Sequence, residues 1–560
     1  MLASLLAKHG IKEVVVSPGS RNAPLIVAME RQPGINTRVV IDERSAAFIA
    51  LGISNAGNNS PVALVCTSGT APLNYAPAVA EAFYRHSPLI VITADRPAEW
   101  IDQDDSQTIN QLGIFNNFIK ASYDIPVESD EPDRMWMINR TLNDAIIKSS
   151  EFCPGPVHIN VRLADPLGET AEYDEYDEFG AATRCVQIVP NSVTAEKDSF
   201  LADICDSLLP TVKVLILAGF MIPSGLDEVL KELARRPNIV VMHEAQSNLH
   251  GKGLFIPNID ATLCYVGKDL DERYSPDIVI TIGGSLTSRM VKTWLRSLPE
   301  LKHWSIGLNN HSVDCFRKLS LRIPMSPIKA LTLIKDILPM SDTGFETDYK
   351  KLWKTAASSA LLASEKWADE SRWCDFKAMF TVMKRLPESY CLQLSNGTAV
   401  RYAQLFDYSR LARIDCNRGV SGIDGCTSTA IGAALVNKQP TVLITGDMSM
   451  QYDLGALGCS FIPSDFKIIV LNNGGGGIFR FIRSTRNLDE LQRDFVADVR
   501  LPLADISSAF GFKYLKAADE DELNESLDEL FADDSRQAIL EIMTDGDLSA
   551  KRLNKFFESK

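Results

Sequence analysis

Short apolar runs alternate with helical patterns along most of this chain, and this alternation limits the folds open to it. Between residues 11 and 165 the apolar runs are Glu13–Val16, Arg38–Ile41, Pro61–Cys66, Leu89–Thr93 and Val157–Val161. Helical patterns lie between them, including Ser45–Asn55 and Pro72–Tyr84. Strands that alternate with helices predict a doubly wound parallel sheet with helices on both faces.

The same alternation recurs in two further segments. The predicted strands of the second segment are Val212–Leu217, Ile239–Met242, Asp277–Ile282 and His303–Ile306. Those of the third are Tyr390–Leu394, Thr441–Thr445, Phe466–Leu471 and Ala538–Ile542. Polar stretches at Glu169–Glu178 and Ser341–Tyr349 are typical of linkers. The sequence therefore predicts an α/β protein with three doubly wound parallel-sheet domains, at residues 1–168, 190–340 and 350–560.

Composition and charge argue against several classes of protein. A net charge of −15 makes nucleic-acid binding an unexpected main role. No apolar run approaches the roughly 20 residues of a membrane span, and the first ten residues lack the features of a signal peptide. The 11 cysteines include no C-x-x-C pair. That pattern favours a reduced, cytoplasmic protein over a disulfide framework or a zinc site.

Polar residues follow two predicted strands of the third segment. T-G-D-M-S starts at Thr445, and N-N-G-G-G-G-I-F starts at Asn472. Ligands of open α/β sheets bind at the carboxyl ends of the strands. Oxygens from Asp447, Asn473 and a glycine carbonyl suit Mg²⁺, and the glycines allow backbone N–H groups to approach a diphosphate. The alternative interpretation is an ordinary turn after one strand and a mobile loop after the other.

This two-part motif resembles the diphosphate-and-metal motif of thiamine-diphosphate enzymes, with Met448 in place of the second glycine of G-D-G. Such enzymes also need a carboxylate that drives the aminopyrimidine to its imino form, while the cofactor supplies the remaining chemistry. Glu43 lies at the start of a predicted helix, directly after a strand. In isolation, Asp42 and Glu43 would be interpreted as helix-start residues favoured by the macrodipole. The motif of the third segment reverses that preference.

Longer motifs make the resemblance more specific. They are S-P-G-S-R-N-A-P-L from Ser17, D-E-R from Asp42, T-S-G-T-A from Thr67, T-A-D-R-P from Thr93, N-R-G-V-S-G-I-D-G from Asn417 and the glycine run after Asn473. Together they resemble the family of 2-succinyl-5-enolpyruvyl-6-hydroxy-3-cyclohexene-1-carboxylate synthase, the decarboxylating synthase of menaquinone biosynthesis. The similarity spans nearly the whole chain and is sparse in the middle segment.

The resemblance implies a thiamine-diphosphate-binding fold, a reaction and a set of site residues. In that reaction 2-oxoglutarate is decarboxylated, and the resulting carbanion adds to isochorismate in a conjugate addition, with thiamine diphosphate and Mg²⁺ or Mn²⁺ as cofactors. The implied catalytic residues are Glu43, Gln107 and Arg418. Those implied for the cofactor are Glu43, Ser20, Ile423, Gly446, Met448, Ser449, Gly475 and Ile478. Those implied for the substrates are Ser20, Arg21, Arg96, Gln107, Arg289, Arg401, Arg418, Phe479 and Ile482. Asp447, Asn473 and the Gly475 carbonyl are the implied metal ligands.

The arginines agree with this assignment on physical grounds. Both implied substrates carry two carboxylates, and a guanidinium group binds a carboxylate through two parallel hydrogen bonds. Each arginine taken alone has a second interpretation as a surface ion pair of little energetic value. The chain also departs from the family: Arg289 stands where lysine is frequent, Gly397 where serine is, and Gly477 where glutamine is. We therefore expect some substrate contacts to be redistributed.

Two alternative functions stay open at this point. One is another thiamine-diphosphate 2-oxoacid decarboxylase or carboligase of the acetolactate-synthase type, and the other is a non-catalytic relative that binds the cofactor. A binding module has no need of an activating carboxylate, so Glu43 argues against the second. The resemblance further implies a homodimer or homotetramer with active sites at subunit interfaces, and small-molecule partners only.

Overall fold

The computed structural model describes residues 1–127, 131–168, 183–187, 204, 207–251, 253–309, 311–338, 347–497, 501–532 and 536–558. Within these ranges the strands form three sheets whose named strand pairs are all parallel. The predicted fold class is confirmed. The predicted linker Glu169–Glu178 lies outside the described residues, as does most of Ser341–Tyr349, and the three domain boundaries stay a prediction.

The first sheet has the order β2-β1-β3-β4-β6-β5. Its strands are β1 (Glu13–Val16), β2 (Asn36–Val39), β3 (Val62–Cys66), β4 (Leu89–Asp95), β5 (Ser122–Ile125) and β6 (Val157–Arg162). The helices of this part are α1 (Leu2–Lys8), α2 (Ala23–Arg31), α3 (Glu43–Ala56), α4 (Ala71–Asn74), α5 (Ala76–Arg85) and α6 (Pro132–Ser150). Every residue of β3, β4 and β6 is buried, as expected of strands covered on both faces.

The second sheet has the order β11-β10-β9-β7-β8. Its strands are β7 (Val214–Ala218), β8 (Ile239–His243), β9 (Ile278–Ile282), β10 (Lys302–Ile306) and β11 (Leu319–Ile323). The described helices beside it are α7 (Asp227–Ala234), α8 (Ile259–Val266), α9 (Arg289–Ser297) and α10 (Pro327–Ile337).

The third sheet has the order β13-β12-β14-β15-β17-β16. Its strands are β12 (Cys391–Leu394), β13 (Arg413–Cys416), β14 (Thr441–Gly446), β15 (Lys467–Asn472), β16 (Lys513–Ala517) and β17 (Ala538–Met543). The helices of this part are α11 (Asp348–Asp369), α12 (Asp375–Arg385), α13 (Ala399–Ala403), α14 (Cys426–Ala434), α15 (Asp447–Tyr452), α16 (Gly477–Phe481), α17 (Leu503–Phe510), α18 (Glu520–Leu530) and α19 (Gly546–Glu558).

By contacts the chain divides into two compact units. The first unit comprises Met1–Asn191, Gly419–Lys438 and Tyr452–Phe466, and the second comprises Ser192–Arg418, Gln439–Gln451 and Lys467–Lys560. The first unit therefore contains the first sheet together with α14, a helix that comes from far along the chain. The second unit contains the other two sheets.

Two elements that the sequence predicted have different bounds in the structure. The strand expected at Arg38–Ile41 is Asn36–Val39, so its polar start belongs to the sheet while Val40 and Ile41 have left it. The helix expected at Pro72–Tyr84 is divided into α4 and α5 at Tyr75. Pro77 lies in the first turn of α5 and has no N–H for a continuous helical ladder, which explains the division. No helix among the described residues is both long enough and apolar enough to cross a membrane.

Candidate active site

Asp447 and the glycine run meet at the ends of two neighbouring strands. β14 and β15 pair in parallel up to Gly446 and Leu471, so the residues that follow each strand emerge at the same edge of the sheet. The Asp447 carboxylate joins the two segments directly. Its Oδ1 accepts from the Met448 N–H at 2.7 Å, and its Oδ2 accepts from the Gly475 N–H at 2.7 Å.

Asn473 lies beside this carboxylate with one side-chain atom engaged and the other not. Its Nδ2 donates to Asp375 Oδ2 at 2.7 Å. Its Oδ1 is buried and has no hydrogen-bond partner among the described residues. A buried amide oxygen without a partner is costly, and a cation would satisfy it. Burial also raises the pKa of Asp447, partly offset by the N–H groups of Gly475 and Met448, and a bound cation would favour its ionised form. These residues therefore fit a hard divalent ion such as Mg²⁺.

The glycine run has a backbone that other residues adopt only under strain. Gly474, Gly475 and Gly476 have φ values of 81°, 87° and 45°. A Cβ on Gly476 would also lie 2.5 Å from the Val496 Cα. The conformation of all three residues thus favours glycine, and Gly476 requires glycine for its packing as well.

Two side chains contact the glycine run. Met448, which replaces the glycine usual in the motif, places its sulfur 2.9 Å from the Gly476 N–H. Arg480, in α16, donates from Nη1 to the Gly475 carbonyl at 2.6 Å and pairs with Asp547 at 3.0 Å. The departure at Met448 is therefore accommodated by a contact with the loop itself.

Glu43 begins α3, as predicted, but it does not cap the helix. The Asp42 carboxylate accepts from the backbone N–H groups of Arg44 and Ser45 and so performs the capping. Burial raises the pKa of Cys66 and of Tyr75, and the charge of Glu43 acts on both in the same direction. The Glu43 carboxylate therefore lies near the end of β3, and it is not used to cap the helix.

Two predicted substrate residues of the first unit share a partner. Arg21 is buried and donates to the Leu163 carbonyl at 3.0 Å and to Asp165 at 3.4 Å. Arg96 donates to the Ser106 carbonyl at 3.0 Å and lies 3.9 Å from the same Asp165 carboxylate. Gln107 follows Ser106 with a left-handed φ of 53°. The structure thus brings Arg21, Arg96 and the Gln107 loop to one edge of the first sheet.

Three arginines of the second unit act on one another electrostatically, and two of them donate to adjacent residues, Arg401 to the Gly397 carbonyl and Arg418 to Asn396. Burial lowers the pKa of Arg401 to about 10, and the positive charges of Arg418 and Arg289 add to that effect. Arg418 donates from Nη1 to Asn396 Oδ1 at 3.0 Å, and its buried Nε has no hydrogen-bond partner among the described residues. Guanidinium groups close enough to repel one another, with a donor unsatisfied, suit an anion that carries more than one carboxylate.

The predicted site residues are distributed over both units. The first unit carries Ser20, Arg21, Glu43, Arg96, Gln107 and Ile423. The second carries Arg289, Arg401, Arg418, Gly446, Asp447, Met448, Ser449, Asn473, Gly475, Ile478, Phe479 and Ile482. Ile478, Phe479 and Ile482 are half-buried in and after α16, directly beyond the glycine run. The role of each of these residues stays a prediction.

Sequence reasoning missed two buried carboxylates that orient predicted motifs. Asp375, at the start of α12, holds the Asn473 amide from 98 positions away. Glu81, in α5, accepts from the N–H groups of Gly419 and Val420 at 2.6 Å each. Each looks like an ordinary acidic residue of a helix in the sequence. A signal for such a partner exists only in three dimensions, because nothing local marks a contact across so many residues.

Comparison with known proteins agrees with the geometry. A model of the thiamine pyrophosphate enzyme N-terminal TPP binding domain matches residues 1–114, and one of the C-terminal TPP binding domain matches residues 397–542. The chain is similar to 2-succinyl-5-enolpyruvyl-6-hydroxy-3-cyclohexene-1-carboxylate synthases of three bacteria. Identity is 37% to that of Porphyromonas gingivalis, over 100% of this chain and 96% of the relative. It is 36% to that of Flavobacterium johnsoniae, over 97% and 95%, and 33% to that of Bacteroides fragilis, over 99% and 97%.

Full-length relatives with one shared name favour the primary interpretation of the sequence over its two alternatives. The domain matches confirm thiamine diphosphate as the cofactor, while the metal ion stays a prediction supported by the fit of Asp447 and Asn473. The chain therefore belongs to the 2-succinyl-5-enolpyruvyl-6-hydroxy-3-cyclohexene-1-carboxylate synthase family of thiamine-diphosphate enzymes.

Proposed function

We propose that this protein decarboxylates 2-oxoglutarate and joins the remaining four-carbon unit to isochorismate, giving the product after which the family is named, and CO₂. The observation that carries the proposal is that Arg401 and Arg418 donate to adjacent residues, Gly397 and Asn396, with Arg289 close enough for its charge to act on Arg401. Both substrates are dianions, so a cluster of guanidinium groups can bind their carboxylates and neutralise their charge. A site for pyruvate alone would need fewer cations.

The residues of the chain hold the reactants and move protons. Thiamine diphosphate, when bound, supplies the nucleophilic carbon and the electron sink for decarboxylation. Asp447 and Asn473 would hold the metal ion, Mg²⁺ or Mn²⁺, that anchors the diphosphate. The Gly475 carbonyl would join them after exchanging its hydrogen bond from Arg480 for the metal ion. Glu43 would hydrogen-bond the aminopyrimidine through its carboxylate and thereby favour the tautomer that accepts a proton. Gln107 would place a water, since its loop lies beside Arg96.

The assembly and location of the enzyme form part of the proposal. We infer a homodimer or homotetramer with active sites at subunit interfaces, as in the superfamily that the sequence resembles. The cysteines of the described ranges form no disulfide with one another, which supports a reducing compartment and hence the cytoplasm.

The test compares two oxoacids in one assay. Isochorismate consumption is followed with purified enzyme, thiamine diphosphate and Mg²⁺, first with 2-oxoglutarate and then with pyruvate. We expect kcat/KM to favour 2-oxoglutarate by about 100-fold or more, because pyruvate leaves buried guanidinium donors unpaired. Equal use of pyruvate would contradict the proposal and restore the acetolactate-synthase alternative.

A further inference from the structure

A buried carboxylate of the second sheet holds the segment that presents Arg289. Glu244 directly follows β8 and is only 1% exposed. Its Oε2 accepts from the Thr287 N–H at 2.8 Å, and its Oε1 accepts from the Ser288 N–H at 2.7 Å. Both oxygens are therefore used on two successive backbone groups immediately before α9, the helix that starts at Arg289.

Ser288 is held from a second side as well. Its hydroxyl accepts from the Val291 N–H at 3.0 Å and so caps α9. The same hydroxyl donates to Asp260, in α8. Because the helix cap and the N–H groups of Thr287 and Ser288 are held by hydrogen bonds, the backbone of Arg289 has one defined position at the start of α9.

A chain of buried amides continues from Glu244 to the helix that carries Arg401. Gln246 donates to Glu244 Oε2 at 2.9 Å and to the Thr287 hydroxyl at 2.5 Å. Gln404, directly after α13, donates to the Gln246 amide oxygen and accepts from the Ala245 N–H at 3.0 Å. Gln246 and Gln404 are both buried. A fully satisfied buried network of this kind specifies one relative placement of its ends.

The two ends of this network are the positions of Arg289 and Arg401. One end of the network is hydrogen-bonded to Ser288, the residue before Arg289, and the other end contains Gln404, three residues after Arg401, so the network can set the spacing between the two guanidinium groups. We propose that Glu244 is a positioning residue that, through Gln246 and Gln404, fixes the separation between Arg289 and Arg401 and so selects the dianionic substrate. Residues that follow strands of the second sheet thereby contribute to substrate specificity. This inference rests on the proposed function, because it takes the two arginines as substrate contacts.

The test is a double-mutant cycle in the full-length enzyme. Glu244→Gln keeps the shape but replaces one acceptor oxygen by an N–H donor that faces a backbone N–H. We expect KM for at least one of the two substrates to rise about tenfold, with kcat changed less than about threefold and thiamine-diphosphate affinity unchanged. In an Arg289→Gln background the same change should alter kcat/KM by less than about threefold, since the separation between the Arg289 and Arg401 guanidinium groups that Glu244 is proposed to set no longer exists.

Asp314→Asn is the matched control. Asp314 also accepts two backbone N–H groups, from Lys318 and Leu319 at the start of β11, and its side chain is 41% exposed. We expect unchanged KM values. If Glu244→Gln does not fold, as judged by thermal melting, Gln404→Met cuts the network at its other end and should give the same non-additive effect.

Additive effects of the two substitutions, or unchanged KM values in folded Glu244→Gln and Gln404→Met variants, would overturn the inference while leaving the proposed function intact. If the wild-type enzyme releases no CO₂ from 2-oxoglutarate in the presence of isochorismate, both the inference and the proposed function are overturned. The two failures are thus distinguished by the wild-type assay alone.

Discussion

Asp42 and Glu43 are neighbours at the start of α3, and the structure gives them different tasks. Asp42 accepts from two backbone N–H groups of the first turn, while the Glu43 carboxylate lies near Cys66 and Tyr75. From sequence alone both residues were consistent with helix-start residues favoured by the macrodipole. The division of labour between them makes Glu43 available for a hydrogen bond to a ligand.

This division leads to the first prediction. Glu43→Gln should lower kcat by at least about 100-fold, because the amide cannot drive the aminopyrimidine tautomer, while the dissociation constant of thiamine diphosphate changes by less than about threefold. Steady-state kinetics and calorimetry measure the two quantities. Asp42→Asn, which keeps a good cap, is the adjacent control and should stay near wild type. Wild-type turnover in Glu43→Gln would refute the assignment.

The sequence predicted the proximity of residues that belong to a local motif, while the function of those residues stays a prediction. Asp447 and Asn473 each follow a buried strand within a few residues of glycines, and the sequence placed them together. Asp375 and Glu81 escaped notice because each acts on backbone or amide groups far along the chain. A carboxylate that orients a remote loop has no local pattern, so only the folded chain reveals it.

At the scale of elements, the strands that the sequence analysis missed are all at sheet edges. They are β5, β11, β13 and β16, and each lies at an edge of its sheet. The edge strand β2 was predicted, but two residues too late in the sequence. An edge strand has one neighbour and more contact with solvent, so its sequence need not be a continuous apolar run. β5 shows this most clearly, since S-Y-D-I has only one buried residue. Central strands such as β3 and β15 were found because burial on both faces demands apolar residues.

The closest helix packing of the first unit gives a second prediction. A Cβ on Gly52 of α3 would lie 2.1 Å from the Thr429 carbonyl of α14, and a Cβ on Gly432 would lie 2.1 Å from the Ile49 carbonyl. The two backbones touch, so Gly432→Ala must push them apart. We expect a loss of about 3 kcal/mol or more in the free energy of unfolding and a fall in Tm of roughly 5 °C or more.

Gly307→Ala is the control for this substitution. The nearest atom to its added Cβ is Asn309 Nδ2 at 3.8 Å, so its Tm should stay within about 1 °C of wild type. Calorimetric melting measures both variants. An unchanged Tm in Gly432→Ala would contradict the close approach of α3 and α14.

A buried carboxyl that is hydrogen-bonded to both helices of this pair gives a third prediction. Asp453 accepts from the Ser428 N–H at 2.6 Å and the Ser428 hydroxyl at 2.7 Å, and it contacts Ser45 of α3 at 3.4 Å. Burial raises the pKa of Asp453 to about 7, the bonds from Ser428 and the charge of Arg44 oppose the shift, and the charge of Asp42 adds to it.

The raised pKa of Asp453 determines whether stability rises or falls with pH. Between about pH 4 and pH 7 the folded state holds a proton that the unfolded state has released, so this group makes stability fall as pH rises through that window, by at most about 1.4 kcal/mol per pH unit. Asp453→Asn mimics the protonated carboxyl and should remove the effect. Melting curves from pH 5 to 8 should show the Tm of the variant rising relative to wild type as pH increases. A constant difference would contradict the raised pKa.

At the scale of the whole molecule, the sequence predicted three parallel α/β sheets correctly because each repeats the strand–helix alternation. It could not assign a task to the middle segment, whose motifs are sparse. The buried contacts of Glu244 and Gln404 give that segment a task, since they connect it to Arg401 through groups that are unremarkable in the sequence. Predicting it would have required the distance between residues 244 and 404.

The proposed assembly gives a fourth prediction. Glu43 belongs to the first unit and Asp447 to the second, and we propose that each active site combines them from different subunits. Homodimers of Glu43→Gln or of Asp447→Asn should both be inactive. A purified heterodimer with one subunit of each kind should regain about half of the wild-type activity, because one of its two sites then contains both native residues. Separate affinity tags on the two subunits allow this purification. No recovery would contradict sites shared between subunits.

The proposed reaction is tested most directly by CO₂ release from 2-oxoglutarate by the purified enzyme with thiamine diphosphate and Mg²⁺, measured with and without isochorismate. We expect fast release only when isochorismate is present, with one CO₂ formed for each isochorismate consumed. Release at the same rate without isochorismate, or no release under either condition, would contradict it.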